Sequence, residues 1–472
     1  MPDSTQLYSD EPVLIDELGR TNMVCRLAKD IATCNPPQVF GVFGDWGSGK
    51  TSFLHQLQWR LTGDCPQRIQ EVTKEEKKKI AAQLKSAEAQ PQDAQAPASA
   101  NQETKTDHIV VVWFEAWRYQ HEPVPIVALL QEVRKQFSMR SKAIRRLSKT
   151  AEVAIHGGLS SIESITKKFG IRPSKFQEAR EKWEQEHLEV PLPSHVIRMQ
   201  LEDTIRELLR NILGKNKPNV RVAILIDDLD RCEPAPTYGL LEGIKVFLSL
   251  PSCIFVLALN QRAVEDAVAD RLPDVPSKRQ YAREYVEKLC STVYHLPHRE
   301  PSGLLAGLLE SSPLDARLRE QLVALVKEHR ALPANPRKIK AYANVVARFA
   351  EHLNGIVPAT APGTTAAGGG AQPNHAAAIV VMTYIYHFHP RMYELIESDP
   401  QFFDLLQRWA DNPSSVSDPL FEQLKPNHAT TSEGSTHFDP MEHEVFWASS
   451  LLRSQTLGTL TEDDLARYLL KY

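Results

Sequence analysis

Short, nearly continuous apolar runs recur along this chain, each closed by a polar residue and followed by helical spacing. Gln38–Phe43, His108–Glu115, Val220–Asp228 and Cys253–Asn260 have the apolar density of strands buried on both faces. Between them the apolar positions recur at helical intervals. Thr21–Thr33 does so through Met23, Leu27 and Ile31, and Asn35-Pro36-Pro37 ends it. Helices are also predicted from Ser52 to about Leu61, and over Val127–Phe137, Leu240–Leu248, Gln261–Leu272 and Ser277–Leu289. Strands alternating with helices predict an α/β fold with a parallel sheet. Ligands of such sheets bind beyond the carboxyl ends of the strands.

From Gly303 onward the pattern is helical, over Gly303–Glu310, Leu314–Lys327, Pro336–Leu353, Met392–Trp409, Glu442–Leu451 and Glu462–Leu470. Ala376–Tyr386 is apolar enough for either a helix or a strand. Residues 1–17 form a polar arm. The stretch 66–107 is charged at Lys74–Lys79 and rich in Ala, Gln and Pro from Glu88, which suits a tether, helical at first and disordered later. Pro358–Gln372 contains Gly368-Gly369-Gly370 and suits a linker, and Ser414–Asp439 suits a loop. The expected division is a core in three pieces (1–65, 108–133 and 201–300). A flexible insert, 66–107, and a charged helical insert, 134–200, interrupt it. A helical lid (301–355), a linker (356–375) and a mainly helical C-terminal region (376–472) follow.

A net charge of −4 over 472 residues gives no global attraction to nucleic acid or anionic membrane. The cysteines form no C-x-x-C pair, so neither a zinc site nor a redox motif is indicated. No basic-plus-apolar leader and no apolar run of roughly 18 residues is present, so a cytoplasmic protein without a spanning helix is expected. Arg134–Lys149 is locally basic with Phe137, Met139, Ile144 and Leu147 interleaved. It reads as a solvated helix face, or as a peripheral surface for lipid or nucleic acid.

The chemistry concentrates at the strand ends. Gly44-Asp45-Trp46-Gly47-Ser48-Gly49-Lys50-Thr51 fits G-x-x-x-x-G-K-[ST], between a strand and a helix that opens with Ser52, and Gly44–Ser52 are the expected nucleotide contacts. Glycines allow backbone N–H groups to converge on a polyphosphate, and the helix N-terminus adds partial positive charge. Lys50 would reach the β- and γ-phosphates, and Thr51 would ligate Mg²⁺. Asp227 ends another strand and suits the second Mg²⁺ contact. Asp228 would orient the attacking water, with Asp230 the alternative base. Without the phosphate loop, Asp-Asp-Leu-Asp would simply start a turn. Asn260 ends a third strand as a γ-phosphate sensor or a turn residue. Arg337 is a γ-phosphate reporter or a surface charge, and Arg231 a finger or a partner of the aspartates. Glu115, Trp117 and Arg118 lie at a strand end, where tryptophans more often pack than react. His387 and His389 have no third ligand nearby and are read as non-metal.

These segments together resemble the KAP family of P-loop NTPases. The resemblance rests on Gly44–Thr51 with Trp46, Trp113-Phe114-Glu115-Ala116-Trp117-Arg118-Tyr119 and Ile226-Asp227-Asp228-Leu229-Asp230-Arg231-Cys232. It extends to Tyr285-Val286-Glu287-Lys288-Leu289, Leu296-Pro297 and Asn335-Pro336-Arg337-Lys338-Ile339-Lys340, in family order over roughly residues 18–350. It implies an additional-strand P-loop fold, a helical region after it, and ATP hydrolysis with Mg²⁺ as a conformational switch. It strengthens the assignments of Asp227, Asp228 and Arg337. It also implies protein partners or a homo-oligomer, and links to bacterial defence against phage and plasmids or to membrane-associated assemblies. Many members carry transmembrane helices between the phosphate loop and the aspartates. Here that interval is polar and basic. The competing expectations are a nucleic-acid-stimulated ATPase or loader, and a nucleotide-binding scaffold with negligible turnover.

Overall fold

Five strands form one parallel sheet: β1 (Gln38–Phe43), β2 (Ile109–Glu115), β3 (Arg221–Asp227), β4 (Cys253–Leu259) and β5 (Thr292–His295), in the order β2-β3-β4-β1-β5. The computed structural model describes residues 7–63, 72–89, 109–122, parts of 125–136, 221–247, 252–272, 277–356, 374–412, 448–458 and 460–470. Of the insert expected at 134–200 only positions 135 and 136 are described, so nearly all of the basic run lies outside the described residues, as do 90–108, 201–220, 357–373 and 413–447. The chain divides into two units, Pro12–Leu296 and Met1–Glu11 with Pro297–Tyr472.

In the first unit every strand interior is apolar because both faces are covered. Alternation then decides which residue goes where. Phe40, Val42, Ala223, Leu225, Ile254 and Val256 point to one side, where they pack on Leu27, Ile31, Phe53 and Leu57. Those belong to α1 (Thr21–Thr33) and α2 (Lys50–Thr62). Val39, Val222, Ile224, Phe255 and Leu257 point to the other side. There they meet Leu241 and Ile244 of α4 (Pro234–Phe247), Val264 and Val268 of α5 (Gln261–Arg271), and Val286 of α6 (Lys278–Leu289). Helix α3 (Lys74–Ala89) forms in the expected tether and packs on α1.

The edge strand β2 is closed off by a side chain. Gln136 accepts from Trp113 N at 3.0 Å through Oε1 and donates to Trp113 O at 2.6 Å through Nε2. An amide can do both at once, which covers backbone groups that a sheet edge leaves open.

The second unit is helical among the described residues: α7 (Pro301–Leu309), α8 (Ala316–His329), α9 (Pro336–Arg348), α10 (Ala350–Ile356), α11 (His375–Phe388), α12 (Pro390–Ser398), α13 (Gln401–Asp411), α14 (Ser449–Leu452), α15 (Ser454–Leu457) and α16 (Glu462–Tyr468). Helix α11 is buried on every side from Ala376 to Ile385, which settles the ambiguous apolar run as a central helix. Two expected helices are each divided. Met392–Trp409 breaks at Asp399-Pro400, where the ring of Pro400 precludes continuation and Asp399 Oδ1 accepts from Gln401 N at 3.0 Å. Pro336–Leu353 breaks at Phe349.

The described part of the N-terminal arm, residues 7–17, is anchored. Tyr8 N donates to Asn344 Oδ1 at 2.8 Å, and Asn344 Nδ2 donates back to Tyr8 O at 2.9 Å. In the first unit, Asp16 Oδ2 accepts from Thr21 N at 2.7 Å at the head of α1.

Candidate functional site

Strands β1, β3 and β4 end side by side and present their polar residues along one edge. The loop after β1 is strapped to the sheet by Gly44 N, which donates to Leu259 O at 3.2 Å. It then turns through Gly47 and Gly49, at φ 78° and 92°, a region that L side chains rarely adopt. A Cβ at Gly44 would lie 2.7 Å from Ser48 Oγ, so a side chain there would force the Ser48 hydroxyl aside. Gly49 N-caps α2, and the helix begins at Lys50, so its first N–H groups face the loop.

Arg20, buried at the head of α1, donates through Nη1 to Ser48 O at 2.6 Å and holds the loop from beneath. Sequence reasoning missed it, and only its place after Gly19 (φ 68°) signals a turn there. Ser52, expected among the nucleotide contacts, accepts from Val13 N at 3.2 Å.

The aspartates are set apart by their surroundings. Asp227 is fully buried, and neither carboxylate oxygen has a hydrogen-bond partner. The Thr51 hydroxyl and the Asp228 N–H approach closely enough to favour its charge, short of hydrogen-bond geometry. Burial first, then the charge of Asp228, pushes the Asp227 carboxyl up to about 7. Asp228 has a left-handed backbone, φ 56°, and pairs with Arg231 Nε at 2.9 Å. Arg231 is thus a partner of the aspartates. Left-handed geometry at a non-glycine residue is uncommon, with aspartate among the tolerant types, and it concentrates at functional sites. Asp230 Oδ2 accepts from Lys50 Nζ at 3.0 Å, Trp46 Nε1 at 3.1 Å and Asn260 N at 2.7 Å.

Asn260 serves structure and site together. Its Oδ1 accepts from Ala263 N at 3.2 Å, capping α5, and its Nδ2 donates to Asp45 Oδ1 at 3.4 Å. Glu115 pairs with Arg118 and stands level with Asp227 in the β2–β3 register. Trp117 is half exposed at this end of the sheet. Arg337 belongs to the second unit, where it pairs with Asp10 at 2.6 Å.

A magnesium–nucleotide complex fits these residues. Thr51 and Asp227 offer the oxygen-only donor set that Mg²⁺ takes, completed by phosphate and water. Ser48 Oγ and both Asp227 oxygens are buried without a protein partner, which is costly unless a ligand uses them. Such a fold and loop define a P-loop nucleotide-binding domain. The KAP family P-loop domain matches residues 20–353, which is most of the chain, and the protein belongs to that family. No curated protein matches it. Among the described residues no helix is long and apolar enough to cross a membrane.

Proposed function

We propose that the chain is a Mg²⁺-dependent ATPase whose nucleotide state governs its assembly with partners. The observation that carries this is Asp227, an orphaned buried carboxylate beside Thr51 at the head of the phosphate loop. Thr51 and Asp227 would hold the metal, and the metal would supply charge neutralisation at the transferring phosphate. Lys50, the loop N–H groups and the start of α2 would bind the phosphates. Asp228, on its left-handed turn, would orient the attacking water. ATP over GTP, partner control, the sensor role of Arg337 and an outlet in bacterial defence draw their support from the family resemblance.

A scaffold that binds nucleotide with negligible turnover is the second reading. It is favoured by the Asp228–Arg231 pair, which spends the carboxylate on a cation. Two measurements on the purified chain separate the readings: Mg·ATP affinity by calorimetry and phosphate release over hours. Binding lost in Lys50→Ala, with release slowed in Asp228→Asn, is the expected outcome. Undiminished binding by Lys50→Ala would refute the nucleotide site. Binding without release, in the presence of DNA, RNA and liposomes alike, would select the scaffold.

A further inference from the structure

Asp230 is left without a task once Asp227 and Asp228 are assigned, yet it has the most contacts of the three. One of its oxygens accepts from a lysine, an indole and a backbone N–H. An oxygen so crowded with donors is poorly placed to take a proton from water. Lys50 is equally committed. An ammonium has three N–H groups, and three protein oxygens take them: Gly44 O at 2.9 Å, Asp45 O at 3.2 Å and Asp230 Oδ2 at 3.0 Å. A phosphate oxygen entering the loop must therefore displace one of them. Two are carbonyls fixed by the fold of the loop. The third is the anionic side chain of a short turn, Leu229–Arg231.

We propose that Asp230 is an internal stand-in for phosphate, holding Lys50 until a nucleotide's polyphosphate displaces it. This rests on the nucleotide reading of the site. The exchange has a direction built into it. Once Lys50 turns to phosphate, Asp230 loses its cation and faces like charge in a water-poor site, where repulsion is strong. It must withdraw, and its other two contacts register the move. One is Trp46, 47% exposed at the rim. The other is the backbone of Asn260, whose side chain caps α5. Nucleotide entry is thereby coupled to the surface at Trp46 and to the head of α5. The same competition lowers nucleotide affinity, by about 10- to 100-fold for a buried charge-assisted bond.

Calorimetry with Mg·ADP, which removes turnover, tests this on the full chain. Asp230→Asn keeps the shape and loses the charge, and should bind about tenfold tighter or more. Asp230→Glu keeps the charge and should stay near wild type. Equal or weaker binding by Asp230→Asn overturns the stand-in and leaves the nucleotide site standing. Binding by neither protein overturns the nucleotide reading and this proposal with it. If Asp230→Asn does not fold, the wild type decides. Its Trp46 indole N–H resonance, assigned with Trp46→Phe, must shift on saturation with Mg·ADP, and an unmoved resonance overturns the proposal.

Discussion

Replacing Asp227 by Asn should make the metal-free protein more stable while destroying its function. The carboxylate is buried, unpartnered and beside Asp228, so its charge is costly to the fold. A carboxyl raised from 3.8 to about 7 corresponds to ~4 kcal/mol of destabilisation at pH 8, as an upper bound. The asparagine amide is nearly the same shape but is itself a buried polar group without partners, which returns about 1–3 kcal/mol of cost. The net expectation is ~2 kcal/mol in favour of Asp227→Asn, or about 5 °C in Tm for a unit of this size. The sign with pH follows from linkage. The folded state holds its proton to higher pH than the unfolded chain, so the penalty is absent below about 4, grows as pH rises and is complete above about 7. The advantage of Asp227→Asn should therefore be large at pH 8, disappear as pH falls, and become a deficit of about 1–3 kcal/mol near pH 4, where only the cost of the amide remains. Thermal melts in EDTA at both pH values measure it, and parallel melts in Mg·ATP should show protection of the wild type only. An Asp227→Asn protein less stable than wild type at pH 8 without metal would refute the argument, because it would mean that the carboxylate is satisfied.

Asp228→Asn should retain Mg·ATP binding and lose at least about tenfold in phosphate release, and wild-type turnover would exclude Asp228 as the group that orients water. In the second unit, burial and then the Lys338 charge lower His389 from 6.5 to about 4. Its neutral form is thus the folded one, and stability present above 6.5 should drain away by ~2–3 kcal/mol as pH falls toward 4. His389→Gln should flatten that part of the urea-unfolding profile, and an unchanged profile would refute the assignment. Gln136→Ala uncovers both Trp113 backbone groups and should cost about 1–2 kcal/mol in urea unfolding, with a rise in self-association visible by sedimentation. Neither change would mean that another group guards that edge.

Much of the architecture was legible because a parallel sheet covered on both faces leaves unmistakable apolar runs. Strand β5 escaped notice for the opposite reason: Thr292–His295 is only four residues long, and only Tyr294 is buried. Pro400 was a readable helix stop that a strong apolar periodicity on either side concealed. The phosphate loop and the aspartates were legible as strand ends, since topology alone brings Thr51 near Asp227. The partners of individual side chains were not. Nothing in the spacing of Lys50 and Asp230, 180 positions apart, signals a shared hydrogen bond. That contact depends on how a three-residue turn leaves β3. Arg20 was similarly hidden, because its role lies in where the head of α1 meets the underside of the loop. The left-handed Asp228 could be read from sequence only as a residue type that tolerates such a backbone.

Strand β4 stands between β1 and β3, so the two strands that lead to Lys50 and to Asp227 are not paired, and it is the Thr51 side chain that comes back to Asp227. Adjacent strands are about 4.8 Å apart, which puts these two backbones roughly 10 Å from one another. The middle strand is therefore a gauge. On the proposed reading, a lone cation would satisfy only the Asp227 side and a lone anion only the Lys50 side, whereas a metal carried by a polyphosphate would answer both, a selectivity that the width of one β-strand would supply.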